Sequence, residues 1–236
     1  MKVWTYGEIL DKITLDLDLQ NEVNITPAEM VGYCNEAIAA AYAEILKINE
    51  DYFKTSASIS LVSGTATYAL PSAIYASKIR ALIYTNGSLI YPIRRMRSSS
   101  NELHTDFETT NLYGQSEYYR YFITNASVSD GFKITICPPA RETGAYVKVW
   151  YLRVPSYLDP AVDNTSSKID IPEFYTFIIQ FMKLRCLEKE GTDPRLDRTA
   201  AILADLKNQM IDTLTEKVPD DDNELLPDFS FYSELA

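Results

Sequence analysis

The stretch "ISLVSGTATYALP", residues 59–71, alternates apolar and hydroxyl side chains on both sides of Ser63-Gly64 and stops at Leu70-Pro71. Successive side chains of a strand point to opposite faces of a sheet, so this period of two marks half-buried strands. Ala57, Ile59 and Leu61 alternate with Ser56, Ser58 and Ser60 on the way in, and Ala66, Tyr68 and Leu70 line the way out. The pattern predicts a hairpin turning at Ser63-Gly64 and ending at Pro71, which has no amide to donate to a ladder.

Upstream, the period is helical. Thr26-Pro27-Ala28-Glu29 combines a hydroxyl cap, a proline at the first helical position and a glutamate at the third. Met30, Cys34, Ala37, Ile38, Ala41, Ile45 and Ile48 then step by three and four, which predicts a long helix over 27–49. Thr5-Tyr-Gly-Glu8 is a second capping box, and Ile9, Leu10, Ile13 and Leu17 predict a helix over 6–18. Downstream, strands are expected at 77–85 and 88–94, joined by the hairpin signal Asn86-Gly87, and then at 117–124, 132–137 and 145–154. Ser99-Ser-Asn-Glu102 can cap a short helix carrying Leu103 and Phe107. The helical period resumes at Asp170-Ile-Pro172-Glu173 for a helix over 172–190 that Gly191 ends, and Asp193-Pro194 caps another that runs to about 216. The fold class that follows is α+β: a helical bundle built from residues 1–54 and 156–217, an antiparallel β-sandwich or barrel-like domain inserted at 55–155, and an extended C-terminal tail over 218–236.

A chain of 236 residues can bury roughly 70–75% of its unfolded surface and needs neither metal nor disulfide to hold a core. Its net charge of −11 disfavours nucleic acid, whose binding rests on clustered Lys and Arg. Cys34, Cys137 and Cys186 are odd in number and far apart, with no paired-cysteine spacing, and read as buried thiols in a reducing compartment. Charges recur through "MKVWTYGEILDKITLDLD", so the N-terminus reads as neither a signal peptide nor a membrane span.

Catalytic signatures are sparse. His104 is the only histidine and no nucleophile elbow lies near it; no GxGxxG, phosphate loop, HExxH or calcium-loop motif occurs. No turnover, cofactor or metal is therefore expected. Asp220-Asp221-Asp222 reads as a solvated run rather than a cation site, and Asp16 and Asp18 point to different sides of a helix. Binding residues are easier to nominate. Arg94, Arg95 and Arg97 form a basic run that can end a solvated strand, pair with a neighbouring subunit's carboxylates, or touch phosphate. Tyr118, Tyr119, Tyr121 and Phe122 fall on alternating faces, core on one side and interface on the other. The acidic tail keeps Leu225, Leu226, Phe229, Phe231 and Tyr232, large apolar groups that a merely solvated segment seldom carries.

The order of these elements, with "NEAIAAAYAEI", "ISLVSGTATYALP", "ITICPPA", "VKVWYLRVP" and "IDIPEFYTFIIQFMKLRCLEKEG", resembles the head-to-tail adaptor proteins of short-tailed and related bacteriophages, the family that includes tail tubular protein A. Tyr68, Leu70 and Pro71, then Pro138 and Pro139, then Tyr151 and Pro155 stand where such adaptors open and close a small β domain. The resemblance covers about residues 20–216; the tail matches no pattern of the family. It implies a virion protein that forms a twelve-subunit ring at the head-tail junction, assembled in the host cytoplasm. Its partners would be the portal protein and the next tail component, with DNA passing through the channel without specific binding and no membrane involved. A carbohydrate- or receptor-binding β module on a helical stalk is the alternative, favoured by the 17 tyrosines but short of tryptophan, with Trp4 and Trp150 alone.

Overall fold

Local signals start the first two helices where the capping boxes stand. In a computed structural model, which describes residues 2–18, 25–96, 119–127, 131–191 and 193–217, helix α1 spans Tyr6–Leu17 and helix α2 spans Pro27–Ile48. The Thr5 hydroxyl accepts the Glu8 amide while Glu8 accepts the Thr5 amide, and Thr26 and Glu29 repeat the exchange. Two of the first-turn donors that a helix leaves unpaired are thereby satisfied at each start. Helix α3 spans Tyr175–Glu190. It begins later than the sequence pattern suggests because Pro172–Phe174 forms a 3-10 turn first, and Gly191 closes it with φ at 99°. Helix α4 spans Arg195–Lys217, and Asp193 accepts the Arg195 amide at its start.

Among the described residues, eight strands lie between α2 and α3: β1 (Lys54–Ser60), β2 (Thr67–Ala69), β3 (Ile74–Thr85), β4 (Ile90–Pro92), β5 (Arg94–Arg95), β6 (Arg120–Ser127), β7 (Gly131–Cys137) and β8 (Tyr146–Arg153). They form two four-stranded sheets, β1-β8-β3-β4 and β2-β7-β6-β5, and neither closes into a barrel. Every pairing is antiparallel except β5 with β6. The Asn86-Gly87 hairpin forms as the sequence predicts, with Thr85 opposite Ile90.

The Ser63-Gly64 hairpin does not form. Strand β1 pairs with β8 in one sheet and β2 pairs with β7 in the other. The turn is held by distant chain: Gly64 donates to the Ala140 carbonyl at 2.7 Å and the Ser63 hydroxyl to the Arg141 carbonyl at 3.1 Å. Leu61 still donates to Ala145, and Ala66 accepts from Ile136, so the segment passes from one sheet to the other. The apolar alternation is real on both sides of the turn, and each side finds a different partner because burial rewards a covered face rather than a nearby strand.

The chain divides into two compact units, Met1–Tyr52 with Pro155–Ala236 and Phe53–Val154. In the first, α3 packs against α1, α2 and α4, and α2 also touches α4. Ile9, Ile13, Cys34, Ile38, Ile178 and Met182 are fully buried there. Helix α1 is also tied to the segment before α3, with Tyr6 donating to Ser167 at 2.8 Å and Gly7 to Thr165 at 3.0 Å. In the second unit one cluster draws on both sheets, with Leu82, Tyr84, Val147 and Val149 from one and Tyr121, Ile134 and Ile136 from the other.

Candidate interaction surfaces

Alternation along β6 and β7 sorts their side chains cleanly. Tyr119, Tyr121, Ile134 and Ile136 are buried in the core cluster, so Arg120, Phe122 and Thr124 on β6, and Lys133, Thr135 and Cys137 on β7, lie on the opposite face. Arg94 is the register partner of Arg120 and Arg95 of Tyr121; both Arg94 and Arg95 are exposed. Strand β5 thus adds its first arginine to the row that already holds Arg120. Phe122 stands two residues further along and Thr124, opposite Lys133, two beyond that. Cations bracket an aromatic ring on one sheet face.

The other sheet carries an apolar end. Ser60, Tyr146, Thr85 and Ile90 form one transverse row. Ile90 is 73% exposed, Leu89 58%, Val62 51% and Tyr146 42%. Such a concentration at one edge of a unit is unlike the scattered single residues of an ordinary surface. The sequence reading passed over these positions; the signal available was an Asn-Gly turn followed directly by Leu89 and Ile90 rather than by polar residues.

Tyr84, Tyr91 and Tyr119 pack on one another at the core cluster. Tyr84 stacks on Tyr91 at 4.9 Å and meets Tyr119 at 5.1 Å, and the Tyr84 hydroxyl donates to Glu142, which also accepts from Asn86 at 2.8 Å. Burial, followed by Glu142, raises the Tyr84 pKa, while these two donors lower that of Glu142. Both tryptophans are covered by a lysine, Lys2 at 4.2 Å from the Trp4 ring and Lys148 at 4.6 Å from Trp150.

The helical unit is laced by charge. Lys183 binds Asp16, Lys189 binds Glu29 at 2.6 Å, Lys207 reaches Glu44 at 3.0 Å and Arg185 reaches Glu36 at 3.0 Å. Lys189, with the Thr26 cap, holds the Glu29 carboxyl down at about 2. Asp16 therefore serves an inter-helix pair, and Asp18 adopts the left-handed conformation that ends α1. Cys34, Cys137 and Cys186 form no disulfide among the described residues and are buried. Burial pushes the Cys34 thiol up to about 12 and the Cys186 thiol to about 11, which keeps both protonated and unreactive. Among the described residues, no three His, Cys, Asp or Glu side chains converge as a metal site would require.

What these surfaces belong to is decided by family. A family model described as SU10 adaptor protein matches residues 4–225. The chain belongs to the SU10 adaptor protein family. No curated protein matches it. The family is one of structural phage proteins, so this adaptor is a virion component that associates with other head and tail parts. No helix among its described residues is long and apolar enough to cross a membrane. Of the nominated binding residues, Arg94 and Arg95 are placed at the edge strand β5. Arg97, Leu225, Leu226, Phe229, Phe231 and Tyr232 lie outside the described residues, as do His104, Tyr118, the helix expected after Ser99 and Asp220-Asp221-Asp222.

Proposed function

We propose that this adaptor is a non-catalytic, ring-forming part of the head-tail junction that joins the portal to the next tail component and lines part of the DNA exit channel. The family match over residues 4–225 carries the reading. In it, the four helices form the ring-building bundle, and the two-sheet unit is a β-sandwich domain inserted between them in the chain. Residues 218–236 lie extended over a neighbouring subunit or ring component, anchored by Leu225, Leu226, Phe229, Phe231 and Tyr232, while Arg94, Arg95 and Arg97 contact protein. The net charge of −11 suits a duct, because a wall that repels phosphate does not retain the passing genome. Twelve copies form the ring, which assembles in the host cytoplasm, and no cofactor takes part.

Light scattering after size exclusion, with the chain alone and mixed with portal protein, tests this reading. A complex of twelve adaptor copies per portal ring is expected. A chain that stays separate from the portal and instead binds glycans would overturn it.

A further inference from the structure

Among the described residues the two sheets end in four edge strands, and three of these are blunted. Strand β4 has three residues and ends in Pro92, β2 has three and β5 two; short or proline-bearing edges are how sheets avoid pairing with other chains. Strand β1 has no such protection. It runs for seven residues, keeps its register with β8 without a bulge, and carries neither charge nor proline from Thr55 to Ser60. The Leu61 amide donates to the Ala145 carbonyl at 2.8 Å. Backbone groups of successive residues point to opposite sides of a strand, so Thr55, Ala57 and Ile59 also face β8, while the amides and carbonyls of Ser56, Ser58 and Ser60 face away from it. No backbone partner meets those three among the described residues.

The core is unfinished at the same edge. Val147 and Val149 of β8 are buried, whereas their register partners on β1, Ile59 and Ala57, are only partly buried against the core cluster. A strand that completed these rows would carry large apolar side chains at two alternate positions, with polar ones between them beside the serines. The C-terminal segment has that pattern. After Pro227 it reads Asp228-Phe229-Ser230-Phe231-Tyr232-Ser233, and a proline just outside a strand removes no ladder bond. Laid antiparallel with Ser230 opposite Ser58, it sets Phe229 beside Ile59 and Phe231 beside Ala57 on the core side. Asp228 and Tyr232 then oppose Ser60 and Ser56 on the outer face.

We propose that the β1 edge receives residues 228–233 of a second copy of the chain as an added antiparallel strand, with Phe229 and Phe231 completing the core rows of Ile59 and Ala57. Main-chain bonds to Ser56, Ser58 and Ser60 attach the strand, and the two phenylalanines fix its register. Such a contact joins two different surfaces of identical subunits and propagates into a ring when its rotation closes. The inference rests on the ring-forming reading above and names the contact that builds the ring. A second β1 is the weaker occupant, because it brings only Ala57 and Ile59 to the rows and closes as a pair.

The test uses full-length chains and a labelled peptide of residues 218–236. The receiving chain carries Phe229→Ser and Phe231→Ser, so that its own tail does not compete, and it is expected to bind the peptide. Methylating the peptide's Ser230 amide removes a donor aimed at β1 and should weaken binding about tenfold or more. The same change at the Phe231 amide, which points away, should weaken it less than about threefold. No binding, or equal losses from the two methylations, overturns the proposal. Adding Ser58→Pro to the receiving chain removes an amide that β8 does not use. If circular dichroism shows that chain folded, peptide affinity should again fall about tenfold or more, and an unchanged affinity overturns the proposal. The receiving chain mixed with a Ser58→Pro chain that keeps its own tail should form mixed pairs in sedimentation. A receiving chain that pairs with itself and refuses the peptide would assign the edge to a second β1 and overturn the proposal. A wild-type chain that stays monomeric and refuses the peptide would place the tail on its own subunit, with the same consequence. Portal binding by the same proteins separates the two readings: portal complexes without peptide binding remove only this contact, and peptide binding without any portal complex removes only the adaptor role.

Discussion

Gly7→Ala should destabilise the helical unit, and Gly32→Ala should stabilise it. At Gly7, the second residue of α1, an added Cβ would stand 2.7 Å from the Thr165 carbonyl oxygen and 3.4 Å from the Thr165 carbonyl carbon and Cα. That oxygen is the acceptor of the Gly7 amide, and the neighbouring contacts of Tyr6 with Ser167 and of Ile169 with Trp4, at 2.8 and 3.1 Å, hold the same segment. The obstruction is backbone, so α1 and residues 165–169 must separate. Overpacking of this kind costs about 1–3 kcal/mol, and the better helix preference of alanine returns at most about 1 kcal/mol, less at a helix end. A net loss of about 1–2 kcal/mol is expected at Gly7. At Gly32, within α2, a Cβ would meet nothing within 4 Å, leaving a gain of about 0.5–1 kcal/mol from helix preference alone. Both changes are glycine to alanine, so their effects on the unfolded chain nearly cancel in the comparison. Urea unfolding followed by circular dichroism at fixed protein concentration measures both. A Gly7→Ala chain as stable as the wild type would refute the reasoning, as would two variants that shift in the same direction.

Asn35 on α2 holds Leu158 from both sides, accepting its amide at 2.8 Å and donating to its carbonyl at 2.9 Å; Asn35→Ala should cost about 1–3 kcal/mol, read from the same urea curves. Acid should loosen the helical unit. Lys189 with Thr26, Lys183 and Lys47 lower the carboxyls of Glu29, Asp16 and Glu44 respectively. Stability from groups depressed in the folded state is complete above their ordinary values near 4 and is lost as the pH falls toward the folded ones, about 2 for Glu29. Urea midpoints should therefore hold between pH 7 and about 5 and fall steeply below about 4, and Glu29→Gln should shrink that fall. The buried thiols Cys34 and Cys186 should resist a thiolate reagent at pH 8 until denaturant is added; rapid labelling of the native chain would show that α2 and α3 part readily.

Exposed basic positions were partly legible in the sequence. The run around Arg94 and Arg95 stands out in a chain short of cations, and the structure puts both on an exposed edge strand. Their company was not legible, since Arg120 and Lys133 reach the same face only through pairings of β5 with β6 and β6 with β7. Nor did Val62 and Tyr146 announce themselves, being separated along the chain and joined in space by the ladder of β1 with β8.

The amino-acid sequence by itself determined the helix starts and the Asn86-Gly87 turn, because a cap or a two-residue turn is a bargain among residues three or four apart. Thr5 with Glu8, Thr26 with Glu29 and Asn86 with Leu89 complete their hydrogen bonds locally. Only the tertiary structure decided the partners of the strands around Ser63-Gly64, since an alternating strand specifies which face is buried and not which backbone will cover its edge. Net charge, −11 for the chain and +5 for the contiguous stretch 53–154 (11 Lys and Arg against six Asp and Glu), is by contrast readable from the sequence; only the tertiary structure decided that Arg94 and Arg120 share a row, because that needs the pairing of β5 with β6.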